Sequence, residues 1–167
     1  LKEINSKGGI KIYYGFNRRF AKSINLIRNR INLNNSNWHT SYIVRLAEYS
    51  ESMSRFKKGG GTTVCACCHY IDLLIYLHGE IDEYSIHKVL PKEVKEVDGY
   101  SFNIFFIHKN KNTSSLTFIK ASPGHRGKIQ ETIISSSAYE EYKILDFKKL
   151  YKNDSNIIHI NHDPKGW

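Results

Sequence analysis

The sequence predicts an α+β fold, in which two early helices cover one face of a largely antiparallel sheet. Two observations lead to this fold class. The first part of the chain carries apolar residues at helical spacing, whereas the part beyond Glu80 consists of segments rich in β-branched and aromatic residues. The turns between these later segments are short, and parallel neighbours need crossovers of about a dozen residues or more. We therefore expect mostly antiparallel neighbours.

The first predicted elements are a short strand and an amphipathic helix. Residues 9–15 alternate between two glycines, as a strand does. After them, apolar residues recur at helical spacing and form one stripe: Phe20, Ile24, Ile27 and Ile31. Asn17 is the expected N-cap of this helix. The asparagine-rich residues 32–37 are expected to end it in a loop.

The middle of the chain predicts a second strand and a second helix. Residues 41–49 contain enough apolar and β-branched side chains to favour a strand. After a polar stretch, residues 63–77 are small or apolar except for His69 and Asp72. This composition predicts a helix that is buried on most sides, and Gly79 is placed to end it.

The rest of the chain predicts a run of strands. The segments are residues 81–90, 100–108, 115–120, 128–135 and 142–147. Turn-forming residues such as glycine, proline and asparagine separate them. At 167 residues, the chain is long enough to bury a core without disulfides or metal.

The charge of the chain raises the question of a polyanionic partner. The formal net charge is +9 at pH 7, and a basic domain can bind nucleic acid. However, the lysines are dispersed, no basic block is interleaved with aromatic residues, and no known nucleic-acid-binding motif occurs. A basic nucleic-acid-binding domain is therefore the weaker alternative, and nucleic acid is not the partner we favour. We also expect no membrane span, because the longest apolar run, residues 71–77, is far shorter than the roughly 20 residues required.

The three cysteines lie close together in the second predicted helix. Cys65, Cys67 and Cys68 occupy a C-x-C-C cluster, which suits reduced thiols in a cytoplasmic protein better than a disulfide framework. The cluster is too tight to supply four tetrahedral ligands by itself, so zinc is a weaker alternative and we predict no metal site.

Several motifs occur in an order that resembles one enzyme family. Residues 15–20 (GFNRRF) join the first strand to the first helix, and glycines 59–61 precede the helix that bears His69 and ends in LHGE. Residues 144–150 (ILDFKKL) and 162–166 (HDPKG) follow in order. Together these motifs resemble those of the Gfo/Idh/MocA oxidoreductases, in particular members from polysaccharide biosynthesis.

The resemblance implies a domain organisation, a cofactor and partners. Residues 1–14 would end a Rossmann domain, and residues 15–167 would form the C-terminal domain for substrate binding and oligomerisation, as a fragment of a longer chain. NAD or NADP would be bound mainly by the preceding domain, because no G-x-G-x-x-G turn occurs in this sequence. The substrate would be a sugar or nucleotide sugar, and a homo-oligomer would form through a sheet face.

The candidate catalytic residue is His69. Oxidation of a sugar hydroxyl needs a proton acceptor, and imidazole suits this role because its pKa lies near neutrality. Asp72 follows by three positions and so shares a helix face with His69, where it would orient the ring or bind a hydroxyl. Without the resemblance, a capped helix-end histidine and a surface carboxylate would be the more common interpretation. With it, His69 becomes the proposed base.

The remaining candidates are arginines and a cysteine. Arg18 and Arg19 lie at a predicted helix start, where the dipole disfavours cations, so they suggest an anionic or polar substrate; solvated arginines are the alternative. Many relatives have a carboxylate three or four residues before the histidine, where this chain has Ala66 and Cys65. Cys65 is therefore a candidate substrate contact. The same departure leaves open a sugar-binding module that has lost catalysis.

Overall fold

The structure is a computed structural model that describes residues 15–33, 36–46, 61–89, 101–120 and 129–159. A 3-10 helix, η1 (Asn17–Phe20), leads into α1 (Lys22–Leu33), and α2 spans Gly61–His78. The strands of the described part are β1 (His39–Leu46), β2 (Ile81–Val89), β3 (Ser101–His108), β4 (Thr113–Lys120), β5 (Gln130–Ser136), β6 (Glu141–Leu145), β7 (Lys149–Lys152) and β8 (Ser155–His159).

The described strands form one sheet in the order β2-β3-β4-β1-β5-β6-β7-β8. All neighbours are antiparallel except β1 and β4, which are parallel. The exception arises because the chain leaves β1, passes through α2 and the β2–β3 hairpin, and returns beside β1 as β4. The predicted α+β class with a largely antiparallel sheet is confirmed.

The core lies between the two helices and one face of the sheet. One row of paired residues crosses six strands, and all of its members are buried: Ile104, Leu116, Tyr42, Ile133, Ile144 and Leu150. Against this face, α2 packs Tyr70, Leu73, Leu74 and Leu77. The helix α1 contributes its buried stripe of Ile24, Ile27 and Ile31. The stripe predicted for the first helix and the apolar residues of the second therefore face the same core.

The start of the first helix differs from the prediction. Phe20 was expected on the buried stripe, but it lies in η1 and is 68% exposed. Asn17 was expected to cap the helix; it instead lies within η1, and α1 begins only at Lys22. The cause is the separate 3-10 turn, which breaks the helical register between Phe20 and Ile24. The predicted strand at residues 9–15 lies almost wholly outside the described residues.

The second helix and the strands agree more closely with the prediction. The helix α2 ends at His78, and the next residue, Gly79, has a φ of 84° that suits glycine. Its face is less uniformly buried than expected, because Cys68 and Ile75 are exposed. The strands β7 and β8 were not predicted. They span only four and five residues. The turns before and between them have positive φ angles at Asp146 and Asn153, residue types that adopt this conformation more readily than most.

Two buried histidines form a polar cluster at the end of α2. The rings of His78 and His108 lie 5.1 Å apart, and Nε2 of His78 lies 2.6 Å from Oγ1 of Thr40. His108 Nδ1 donates to the carbonyl of Gly79 at 2.9 Å. Its Nε2 therefore accepts from the Ser114 hydroxyl at 2.8 Å, as a neutral imidazole does. Burial, followed by the electrostatic influence of the neighbouring rings of His108 and His39, lowers the pKa of His78 to about 3.

This cluster predicts acid sensitivity. Because the folded pKa of His78 is below its unfolded value, the unfolded state binds the proton more readily, and stability falls as pH decreases from about 6.5 towards 3. We expect a loss of roughly 3 kcal/mol in unfolding free energy between about pH 7 and pH 4 from this residue. Urea unfolding at several pH values measures it. The dependence of the unfolding free energy on pH should be retained in His87→Gln, because the imidazole of His87 is exposed. It should be reduced in His78→Gln. An equal pH dependence in both variants would exclude His78 as the cause.

Candidate functional site

The first part of the site is a buried ion pair between η1 and β5. Arg18 donates from Nε and Nη2 to the two carboxylate oxygens of Glu131, at 2.9 and 2.8 Å. The Tyr42 hydroxyl donates to the same carboxylate, and the guanidinium lies 4.9 Å from the centre of the Tyr70 ring. The two charged side chains are only 11% and 1% exposed. Burial by itself lowers the pKa of Arg18, but the hydrogen bond and charge of Glu131 outweigh it and raise the pKa.

The second part of the site is a similar ion pair, which joins η1 to α2. Arg19 donates from Nε to Asp72 at 2.6 Å, and its Nη2 donates to the other carboxylate oxygen. The hydrogen bond to Asp72 is the main cause of the raised pKa of Arg19. Its guanidinium lies 5.6 Å from the Phe16 ring and 5.3 Å from the Tyr76 ring. The Arg19 side chain remains 35% exposed, so this arginine is the more accessible of the two.

His69 lies on α2 beside both pairs. Its imidazole meets the edge of the Phe16 ring at a centroid distance of 5.5 Å. Nδ1 is buried and has no hydrogen-bond partner among the described residues. Burial lowers the pKa of His69, and the positive charge of Arg18 lowers it further. The ring is therefore mostly neutral near pH 7 and able to accept a proton.

The arrangement supplies a base next to two cations. Each arginine donates to its carboxylate through Nε and Nη2. Because the guanidinium is planar, the remaining nitrogen, Nη1, points away from that carboxylate. A half-buried neutral imidazole beside such donors suits a ligand with hydroxyl, carboxylate or phosphate groups. The chemistry of these side chains therefore suits a polar ligand that gives up a proton.

Four of the predicted site residues are brought together. His69, Arg18, Arg19 and Asp72 meet where η1 crosses α2, although Asp72 is engaged by Arg19 and was expected beside the histidine ring or the substrate. Cys65 lies within α2, but its side chain lies outside the described residues.

Sequence reasoning missed Glu131 and Tyr42, which hold Arg18. Glu131 is 113 residues from Arg18 along the chain, so no local spacing links them. One signal was present: Glu131 alternates with Ile129 and Ile133 in a strand, and a carboxylate at a core-facing position calls for a buried partner. The sequence did not indicate which cation that partner would be.

Two cysteines of α2 lie within the described residues, and neither forms a disulfide bond. Cys67 is buried and Cys68 is exposed. Burial raises the pKa of Cys67 to about 12, which makes it an unreactive thiol.

Among the described residues, no group of three or more potential ligands is placed to hold a metal ion. Within the same residues, no helix has the length and apolar character needed to cross a membrane.

The fold is similar to that of solved oxidoreductases. One is an oxidoreductase from Thermotoga maritima, with 14% identity, a TM-score of 0.68, and coverage of 98% of this chain and 51% of that one. Another is levoglucosan dehydrogenase in complex with NADH and L-sorbose, with 16% identity, a TM-score of 0.70, and coverage of 95% and 49%. A third is the WlbA dehydrogenase from Bordetella pertussis with NADH and UDP-GlcNAcA, at 11% identity, a TM-score of 0.66, and coverage of 92% and 46%.

These similarities concern the fold alone, because all three identities are low. No model of a protein family matches the sequence, and a search among curated proteins gave no significant match. The chain spans about half the length of the solved structures it resembles. It therefore has the fold of one part of NAD-binding oxidoreductases and dehydrogenases.

Proposed function

We propose that this chain is the C-terminal substrate-binding domain, residues 15–167, of an NAD(P)-dependent sugar or nucleotide-sugar oxidoreductase of the Gfo/Idh/MocA type. Residues 1–14 then belong to the end of the dinucleotide-binding domain. The observation that carries the proposal is the neutral imidazole of His69 beside the paired arginines of η1. The fold similarity supports it, since several matched proteins are dehydrogenases solved with NAD or NADH.

In this mechanism, His69 accepts the proton of the sugar hydroxyl that is oxidised. Arg18 is fixed by Glu131 and Arg19 by Asp72, so each guanidinium is oriented before the substrate arrives. The arginines bind acidic or hydroxyl groups of the substrate, and Cys65 contacts it from the same helix. The bound nicotinamide supplies the hydride acceptor. The described residues suit the substrate side of such a site and offer no glycine-rich turn for the pyrophosphate.

We propose that the protein is a cytoplasmic homo-oligomer that uses the open face of the sheet. This face bears partly exposed apolar side chains on the three adjacent strands β3, β4 and β1: Ile43, Phe105 and Ile119, each 36–38% exposed. The helices lie on the opposite face. Burial of such a face against a second sheet would remove apolar area from water.

The domain assignment is tested by the coding sequence upstream of Leu1. We expect the reading frame to continue for roughly a hundred residues or more, with a βαβ pattern, a glycine-rich phosphate turn and a Glu-Lys-Pro segment. An in-frame stop codon shortly before Leu1 would refute the assignment.

Substrate binding at the site is tested by proton NMR of the histidine rings. On addition of sugars and UDP-sugars, we expect the resonances of His69 to shift in a saturable way. The matched control is His87, an exposed histidine on β2, whose resonances should not move. Equal shifts of both residues, or none at His69 across the panel, would count against the proposed site.

A second candidate is a sugar-binding module without catalysis. It is favoured by the half-buried Ala66 one helical turn before His69 and by the engagement of both nearby carboxylates with arginines. This candidate predicts saturable sugar binding with no turnover in the complete protein. Turnover that depends on His69 would eliminate it.

A further inference from the structure

The strand β2 forms an edge of the sheet within the described part of the chain. Only β3 pairs with it there, and every residue from Asp82 to Lys88 is exposed. The exposed residues include Tyr84 at 69% and Ile86 at 48%. A long edge strand presents a row of backbone donors and acceptors to any strand that can match it. The edge is thus accessible and apolar enough to hold a partner strand.

The side chains of β2 divide between the two faces of the sheet. The register with β3 places Tyr84 and Ile86 on the face that the helices cover, although they lie beyond the helices' reach. The same register places Glu83, Ser85 and His87 on the open face. A partner strand must therefore offer an apolar surface on one face and complementary charge on the other.

We propose that β2 pairs antiparallel with β2 of a second copy of this chain, about a two-fold axis at Ser85. In this pairing, Glu83 lies opposite His87 on the open face, and Tyr84 lies opposite Ile86 on the other. Each contact occurs twice, because a two-fold interface uses the same patch on both subunits. The two sheets become continuous, with the helices of both copies on the same side.

The charge pattern of β2 selects this register. A two-fold axis at Ser85 also brings Asp82 towards Lys88, so each acidic residue faces a side chain with a nitrogen that can donate a hydrogen bond. Asp82 contributes less, since it lies at the bulge of β2 and is 3.8 Å from the exposed Lys111. A shift of the axis to Tyr84 would place Glu83 opposite Ser85 and Asp82 opposite Ile86, which removes both charge matches.

Cysteine cross-linking tests the proposed register in the full chain. At the axis, Ser85→Cys would place two thiols directly opposite each other, at a separation that a disulfide can span. His87→Cys is the matched control, because each introduced thiol would face Glu83. With Cys68→Ser as the background to remove the exposed native thiol, we expect Ser85→Cys to form covalent dimer at least tenfold faster than His87→Cys. Equal rates in the two variants would overturn the proposal.

A charge exchange tests the same interface without cross-linking. His87→Glu places two carboxylates opposite each other at two symmetric positions, so we expect the dimer Kd measured by analytical ultracentrifugation to rise about tenfold. The double variant Glu83→Lys/His87→Glu should restore or tighten the dimer. A Kd that His87→Glu leaves unchanged, as in a dimer held only by the open sheet face, would overturn the proposal, as would a chain that is monomeric at all concentrations.

Discussion

Replacement of His69 with asparagine in the complete protein is expected to lower kcat by about a hundredfold to ten-thousandfold, which is the range that loss of a positioned general base produces. Asparagine keeps a polar side chain of similar reach but cannot accept the substrate proton near pH 7. Because the proposed function assigns substrate binding to the arginines, KM should change far less than kcat. Steady-state kinetics of the two proteins measures both parameters.

The pH profile provides a further check on His69. Burial and the charge of Arg18 hold the pKa of His69 below 6.5, so the free base is present at neutral pH and is lost as the solution becomes more acidic. kcat/KM should therefore decrease on the acid side, with a midpoint below 6.5. Cys68→Ser, an exposed change next to His69, should leave rate and profile unaltered. An acid limb that persists in the residual activity of His69→Asn would assign it to another group.

Replacement of Glu131 with glutamine is expected to lower the free energy of unfolding by about 3–5 kcal/mol. The reason is that Arg18 would keep its charge while only 11% of its side chain is exposed, and a buried charge without a counterion is costly. The Tyr42 hydroxyl would also lose its charged acceptor. Chemical denaturation followed by circular dichroism measures the change.

The matched control for Glu131 is a surface carboxylate in a similar pair. Glu80 pairs with Lys109, but their side chains are 74% and 63% exposed, so Glu80→Gln should have no measurable effect on stability. The double variant Arg18→Met/Glu131→Gln should be more stable than Glu131→Gln alone, because it removes the isolated charge. If Glu131→Gln and Glu80→Gln behave alike, the buried pair does not stabilise the fold.

The fold class could be predicted because the apolar pattern and the packing agree over most of the chain. The stripe of Ile24, Ile27 and Ile31 faces the core as its spacing indicates, and α2 ends at the glycine that was expected to end it. The exposed Phe20 shows where this reasoning fails, since a 3-10 turn interrupts the helix without a change in composition. The parallel pairing of β1 with β4 is likewise a consequence of chain topology, which local pattern does not encode.

The residues of the site could be predicted from the sequence, but the ion pairs that they form could not. His69 and the two arginines were identified through their motifs, and the structure brings them together. Their counterions depend on contacts distant in sequence: Glu131 comes from a strand near the end of the chain, while Asp72 turns from the imidazole to Arg19. Charge pairs of this kind form only once the fold has placed the elements, so spacing alone could not assign them.

The most direct test of the account is nicotinamide reduction by the complete protein, followed by absorbance with NAD and NADP and a panel of sugars and nucleotide sugars. We predict reduction with at least one member of the panel, at a rate that falls by about a hundredfold or more in His69→Asn. Turnover that is unaffected by His69→Asn would contradict the account.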